Sequence, residues 1–115
     1  MNELENLRNY VKQFRDERDW KQFHTPKNLA MAISVEASEL AEIFLWDDNK
    51  KSFETAQQKS EHLQEEMADI LIYLLSMADV LNINLEYAIL NKLKKNCIKY
   101  PVEKSKGLCK KYTEL

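Results

Sequence analysis

Glu36 and Glu39 stand three residues apart, and after 26 intervening residues Glu66 and Asp69 repeat that spacing. At about 100° per residue, an i, i+3 pair projects from one side of a helix. Here each pair interrupts an apolar pattern. Leu29, Ala32, Ile33, Leu40 and Ile43 share a helical face with Glu36 near its middle, where an amphipathic helix should carry a hydrophobic residue. Glu66, Asp69, Tyr73 and Ser76 form one polar stripe on an otherwise apolar segment, with Glu65 adjacent. Burying a carboxylate without a partner costs several kcal/mol or more. Four such anions facing one another inside a bundle would repel strongly. A hard divalent cation removes the conflict. Mg²⁺ takes oxygen ligands and usually combines a few carboxylates with substrate phosphates and waters. A single E-x-x-E pair is most often a solvated helix face; two pairs on apolar stripes argue for a metal site. A di-iron bundle needs Glu-x-x-His, but Lys21 and Lys59 occupy the positions three before His24 and His62.

The acids must be held by helices. One Gly and two Pro in 115 residues leave few breakers, and strict two-residue alternation is absent, so an all-α domain is expected. Leu4, Leu7, Val11 and Phe14 predict a first helix over residues 2–17. Thr25 as N-cap and Pro26 as first helical residue predict a second, running to about Trp46. Asp47-Asp48-Asn49-Lys50 breaks the pattern, and residues 47–58 read as a polar connection with at most a turn of helix around Phe53. Ser60 would cap a third helix reaching about Leu81, apolar nearly all round in its second half, which implies burial by self-association. Asn82 would end that helix and Asn84 cap a fourth, stopped at Tyr100 by Pro101. Residues 102–115 form a tail, ordered only if docked.

Trp20, Phe23, His24 and Trp46 bracket the first acidic pair and are suited to sandwiching a flat heterocycle. Equally, both Trp can be core or interface residues. Tyr73 could donate its hydroxyl to a phosphate or a metal ligand. Lys92, Asn96, Lys99 and Lys104 follow helical or near-helical spacing and could reach phosphates, while Lys92 and Lys95 could equally face solvent.

The net charge of −2 argues against attraction of the whole protein to nucleic acid or a membrane. From Lys92 onward the local balance is +6 and the remainder −8, which suits a metal nucleotide or a solvated Lys-rich end. No apolar run reaches the roughly 20 residues that span a bilayer. Cys97 and Cys109 match no zinc spacing and, with no signal peptide apparent, read as reduced cytoplasmic thiols.

Glu36-x-x-Glu39 followed by Glu66-x-x-Asp69 resembles the E-x-x-E…E-x-x-D signature of the MazG-like all-α NTP pyrophosphatases. R-D-W-K-Q-F-H-T-P-K-N-L-A at 18–30, F-L-W at 44–46, E-E-M-A-D-I-L-I-Y at 65–73, N-C-I-K-Y-P-V at 96–102 and K-Y-T-E-L at 111–115 are similar to the dCTP pyrophosphatase branch. The resemblance covers residues 15–115. It implies a four-helix bundle protomer over residues 1–105, a basic tail over 106–115 and a dimer of dimers. It implies Mg²⁺-dependent conversion of dCTP or modified dCTP to the monophosphate and pyrophosphate. Glu36, Glu39, Glu66 and Asp69 would hold Mg²⁺. Trp20, His24, Asn28, Trp46, Tyr73, Lys92 and Asn96 would hold base, sugar and phosphates. Glu39 or Glu36 would serve as base toward water. The chain departs from the branch in its first helix, where Asn9-Tyr10-Val11 lacks a His, and at Ser34 and Ser38, where Gly is usual. A broader dNTP or dUTP pyrophosphatase, and a non-enzymatic helical interaction module, are the alternatives.

Overall fold

The computed structural model describes residues 2–115. The chain forms two compact units, residues 1–83 and 84–115. Among the described residues there is no strand.

In the first unit, α1 (Glu3–Glu17) begins at Asn2, whose side chain accepts from the Glu5 backbone N–H. It ends with Asp19 at φ 54°, and the Trp20 N–H returns to the Arg15 carbonyl at 3.1 Å. That is a Schellman stop made without glycine. The inward face of α1 is not the one the apolar spacing suggests. Leu4, Arg8, Val11 and Arg15 turn inward, while Leu7 and Phe14 are about half exposed. The reason lies on a distant helix: Arg15 Nη1 and Arg8 Nε bind the two oxygens of Asp79 at 2.8 Å and 3.3 Å.

A short 3₁₀ turn (Lys21–Phe23) leads to α2 (Pro26–Glu42). Thr25 caps α2 as expected, its hydroxyl accepting from the Asn28 N–H at 3.2 Å, a bond that contributes about 1 kcal/mol. The helix stops at Glu42, four residues short of Trp46, and residues 43–46 form a turn. The expected polar connection is instead a ten-residue helix, α3 (Asn49–Gln58). Asp48 initiates it by accepting from the Lys51 N–H at 2.7 Å, and Thr55 is buried.

Next comes α4 (Ser60–Val80), packed by α1, α2 and α3. Ser60 is its first residue rather than its cap; its hydroxyl accepts from the Gln64 side chain instead. Asn82, at φ 54°, ends α4 and lets the Ile83 N–H reach the Ala78 carbonyl at 2.8 Å, a second Schellman stop. Leu29, Ile43, Leu75 and Ala78 are the buried apolar residues of this unit. The stripe Glu66, Asp69, Tyr73, Ser76 is buried or half-buried, as its spacing predicts. The opposite side of α4 is not covered: Met67, Leu71, Ile72 and Leu74 are exposed.

The second unit contains α5 (Leu85–Lys99), capped by Asn84, and α6 (Val102–Ser105) after Pro101. The tail docks on α5. Tyr112, in a closing 3₁₀ turn (Tyr112–Glu114), meets Tyr100 edge-on at 5.9 Å and lies under Lys99 at 4.8 Å. No single helix is long and apolar enough to cross a membrane.

Candidate metal and nucleotide site

Capping at Thr25 and Asn28, and the packing of α2 on α4, fix which acids meet. One carboxylate oxygen from each of Glu36, Glu39 and Glu66 lies within 4.8 Å of the others. Glu66 is buried, Glu36 half-buried and Glu39 exposed, so the cluster opens outward at Glu39. Asp69 stands one turn beyond Glu66, half-buried, and its charge bears on Glu36.

The cluster is electrostatically incomplete. Burial pushes the Glu36 carboxyl up to about 7, assisted by close contacts with Glu66 and Glu39 and by the charges of Glu39 and Asp69. Oε2 of Glu36 and Oε2 of Glu66 are buried and meet no donor. Unless Glu36 keeps its own proton, nothing among the described residues satisfies these oxygens. Adjacent hard oxygen donors with unused acceptor capacity fit a hard divalent cation.

This has a pH consequence. Glu36 has a folded pKa above its unfolded value of 4.5. Its contribution to stability is therefore full below that value and lost as pH rises through about 7. In EDTA, the melting temperature should fall between pH 5 and pH 8. Millimolar Mg²⁺ should restore it at pH 8 and do little at pH 5, as scanning calorimetry at fixed protein concentration would record. An EDTA profile in which Glu36→Gln loses as much stability over that range as the native protein would rule Glu36 out as the cause.

The aromatic and polar candidates divide. Trp46 is 92% exposed, in the turn after α2. Trp20 meets Phe14 edge-on at 5.7 Å and is partly exposed, so it is tied to α1. His24 is half-buried, with Nδ1 lacking a hydrogen-bond partner. Burial, then the Arg15 charge, pushes its pKa down and keeps the imidazole neutral. The Asn28 amide is engaged, donating to the Phe23 carbonyl at 3.0 Å. That bond shapes the loop carrying Trp20 and His24. Tyr73 lies half-buried one turn past Asp69. In the second unit, exposed Lys92 and half-buried Asn96 stand one turn apart on α5. Lys99 is occupied by Tyr112.

The structure adds residues that spacing did not single out. A cavity of 490 Å³ is lined by Glu39, Glu42, Ile43, Lys59, His62 and Glu66. His62 Nε2 lies 3.2 Å from Glu66 Oε1, one turn apart on α4. The i, i+4 spacing of His62 and Glu66 was the available signal.

A model of the MazG-like family matches residues 31–115. The dCTP pyrophosphatase 1 of Rattus norvegicus is 42% identical over 114 residues, spanning 97% of this chain and 67% of the rat protein. The dCTP pyrophosphatase 1 of Homo sapiens is 40% identical over the same length, spanning 97% of this chain and 67% of the human protein. The crystal structure of a pyrophosphatase from Archaeoglobus fulgidus is similar with a TM-score of 0.84 and 44% identity, covering 88% of this chain and 94% of that one.

Proposed function

The chain belongs to the MazG-like family, and on that premise we infer that it is a nucleoside triphosphate pyrophosphohydrolase converting dCTP to dCMP and pyrophosphate. The convergence of Glu36, Glu39 and Glu66 within 4.8 Å is the observation that carries this reading from family to site.

Mg²⁺ is the cofactor proposed, with Glu36, Glu39, Glu66 and Asp69 as its protein ligands. When bound it neutralises phosphate charge and acidifies a water at neutral pH. The remaining work falls to the chain. Glu36 or Glu39 takes the proton as water attacks, and the bond between the α- and β-phosphates breaks to release pyrophosphate. Asp69 and Glu66 hold the far side of the cluster from α4. Trp46, exposed beyond the end of α2, offers a face for stacking the base. His24, as a neutral imidazole with a free Nδ1, offers hydrogen bonding to the same ligand. Trp20 and Asn28 support that loop; Tyr73, Lys92 and Asn96 are assigned to sugar and phosphates.

Self-association belongs to this reading, as a dimer of dimers. Met31 and Val35 on α2, and Met67, Leu71, Ile72 and Leu74 on α4, expose an apolar surface that a lone protomer leaves in water. Sedimentation at the 13.6 kDa of a single chain would remove this part. Free exposed Cys97 and Cys109 fit a reducing cytoplasmic setting.

The test is a nucleotide panel at millimolar Mg²⁺, with pyrophosphate converted to phosphate and measured by colour. dCTP and 5-substituted dCTP should exceed dUTP, dTTP and the purine nucleotides by roughly tenfold or more, well inside the roughly 10⁴-fold that a site hydrogen-bonding its substrate can reach. Preferred hydrolysis of dUTP would overturn the base assignment. No pyrophosphate from any nucleotide would favour a non-enzymatic interaction module.

A further inference from the structure

His62 is the one imidazole in contact with the acidic cluster among the described residues, and no step above uses it. Its Nε2 lies 3.2 Å from Glu66 Oε1. The imidazole is half exposed, 56%, whereas the Glu66 side chain is 11% exposed. Glu66 Oε2 is buried with no partner. One oxygen of this carboxylate is therefore anchored from outside and the other left free. His62 and Glu66 both line the 490 Å³ cavity, together with Glu39.

The torsion that turns a glutamate carboxylate is broad and weakly restrained. A carboxylate free to rotate must be ordered when it binds a cation, and that ordering weakens binding. A donor fixed on one oxygen removes the freedom beforehand. Outer partners of metal ligands act in this way, and losing one typically costs roughly 10–100-fold in metal affinity. An exposed i, i+4 pair acting only on the helix contributes a few tenths of a kcal/mol and leaves affinity unchanged.

We propose that His62 is a positioning residue: its Nε2–H, donated to Glu66 Oε1, holds that carboxylate so that Oε2 stays available to a divalent cation. The proposal rests on the reading of the acidic cluster as a metal site.

The test is calorimetric titration of Mn²⁺ and of Mg²⁺ into the whole, nucleotide-free protein, with His62→Ala and His62→Gln beside the native chain. A Gln at this position can still donate to Glu66 one turn on. The expected result is a dissociation constant roughly 10–100-fold weaker for the Ala variant, recovered to within about threefold by Gln. The metal-free melting temperature of both variants should stay within about 2 °C of the native value, the scale of a few tenths of a kcal/mol. Equal affinity in the Ala variant, or equal weakening in both variants, would overturn the proposal. If His62→Ala fails to fold, His62→Leu, which cannot donate, takes its place: weakening in the Leu variant alone supports the proposal, and equal affinity in the Leu variant, or equal weakening in the Leu and Gln variants, overturns it. A native protein that binds neither ion overturns the metal reading itself, a separate outcome from a wrong role for His62.

Discussion

Glu36→Gln should abolish dCTP hydrolysis and at the same time raise the melting temperature of the metal-free protein. Both effects follow from one geometry. Glu36 is half-buried on α2, between Glu39 on its own helix and Glu66 and Asp69 on α4. Gln keeps the shape and removes the charge. It cannot neutralise a cation and cannot take a proton from water. The loss in kcat/KM should be on the order of 10³-fold or more, about 4 kcal/mol of transition-state stabilisation. In EDTA at pH 8, the same change relieves carboxylate repulsion, and a rise of roughly 2–5 °C is expected. Glu39→Gln should lose comparable activity but gain less stability, because Glu39 is exposed and its charge is already solvated. Turnover within about threefold of native in Glu36→Gln, at saturating Mg²⁺, would remove Glu36 from the mechanism.

The second large effect concerns stability alone. Asp79→Ala should destabilise the protein by up to about 3–5 kcal/mol, the cost of breaking a buried ion pair, because Arg15 and Arg8 lose the carboxylate they share. Arg15 is 1% exposed and binds Asp79 at 2.8 Å; Arg8 holds the second oxygen at 3.3 Å. Burial works against the charge of both Arg15 and Asp79. Hydrogen bonds and charge from Arg15 and then Arg8 prevail at Asp79 and hold it below the usual carboxylate range, while Asp16 first and then Asp79 hold Arg15 above its own. Asp16, on α1, remains as a partner for Arg15 in the variant, which keeps the loss from growing further. A fall in melting temperature of up to roughly 15 °C is expected, measured at one protein concentration because self-association would shift it. The paired replacement Arg15→Met with Asp79→Leu should recover most of the loss, since a packed apolar pair can substitute for a buried ion pair. A single-variant loss under about 1 kcal/mol, as for an exposed pair, would show that the triad does not anchor α1 to α4.

How much of this was legible in the chain depended on whether the cause was local. Thr25 and Pro26 mark the start of α2 because capping and a fixed φ act within one turn. The acidic stripes were legible because helical spacing alone puts Glu36 with Ile33 and Leu40, and Glu66 with Tyr73. The inward face of α1 was not. Leu7 and Phe14 looked like core, yet Arg8 and Arg15 turn inward toward Asp79, 64 residues from Arg15 in sequence. No periodicity reports a pairing of that separation. α3 is hidden in the sequence for a different reason. Asp47 to Lys50 reads as a breaker by composition, but Asp48 is an N-cap, and one side-chain bond to Lys51 turns the break into a start. Ser60 suits a cap by residue type, while the backbone begins the helix after Lys59. His62 lacks the Glu three residues before it that an iron motif needs, and its partner lies one turn ahead at Glu66.

The central claim is that carboxylates from α2 and α4 meet in order to hydrolyse a nucleoside triphosphate with a divalent cation. Product analysis of dCTP by ³¹P NMR, with Mg²⁺ and again with excess EDTA, tests it most directly. Equimolar dCMP and pyrophosphate, formed only while free Mg²⁺ is present and restored when it is added back, is the predicted result. Release of dCDP and phosphate, or hydrolysis that persists in EDTA, would contradict it.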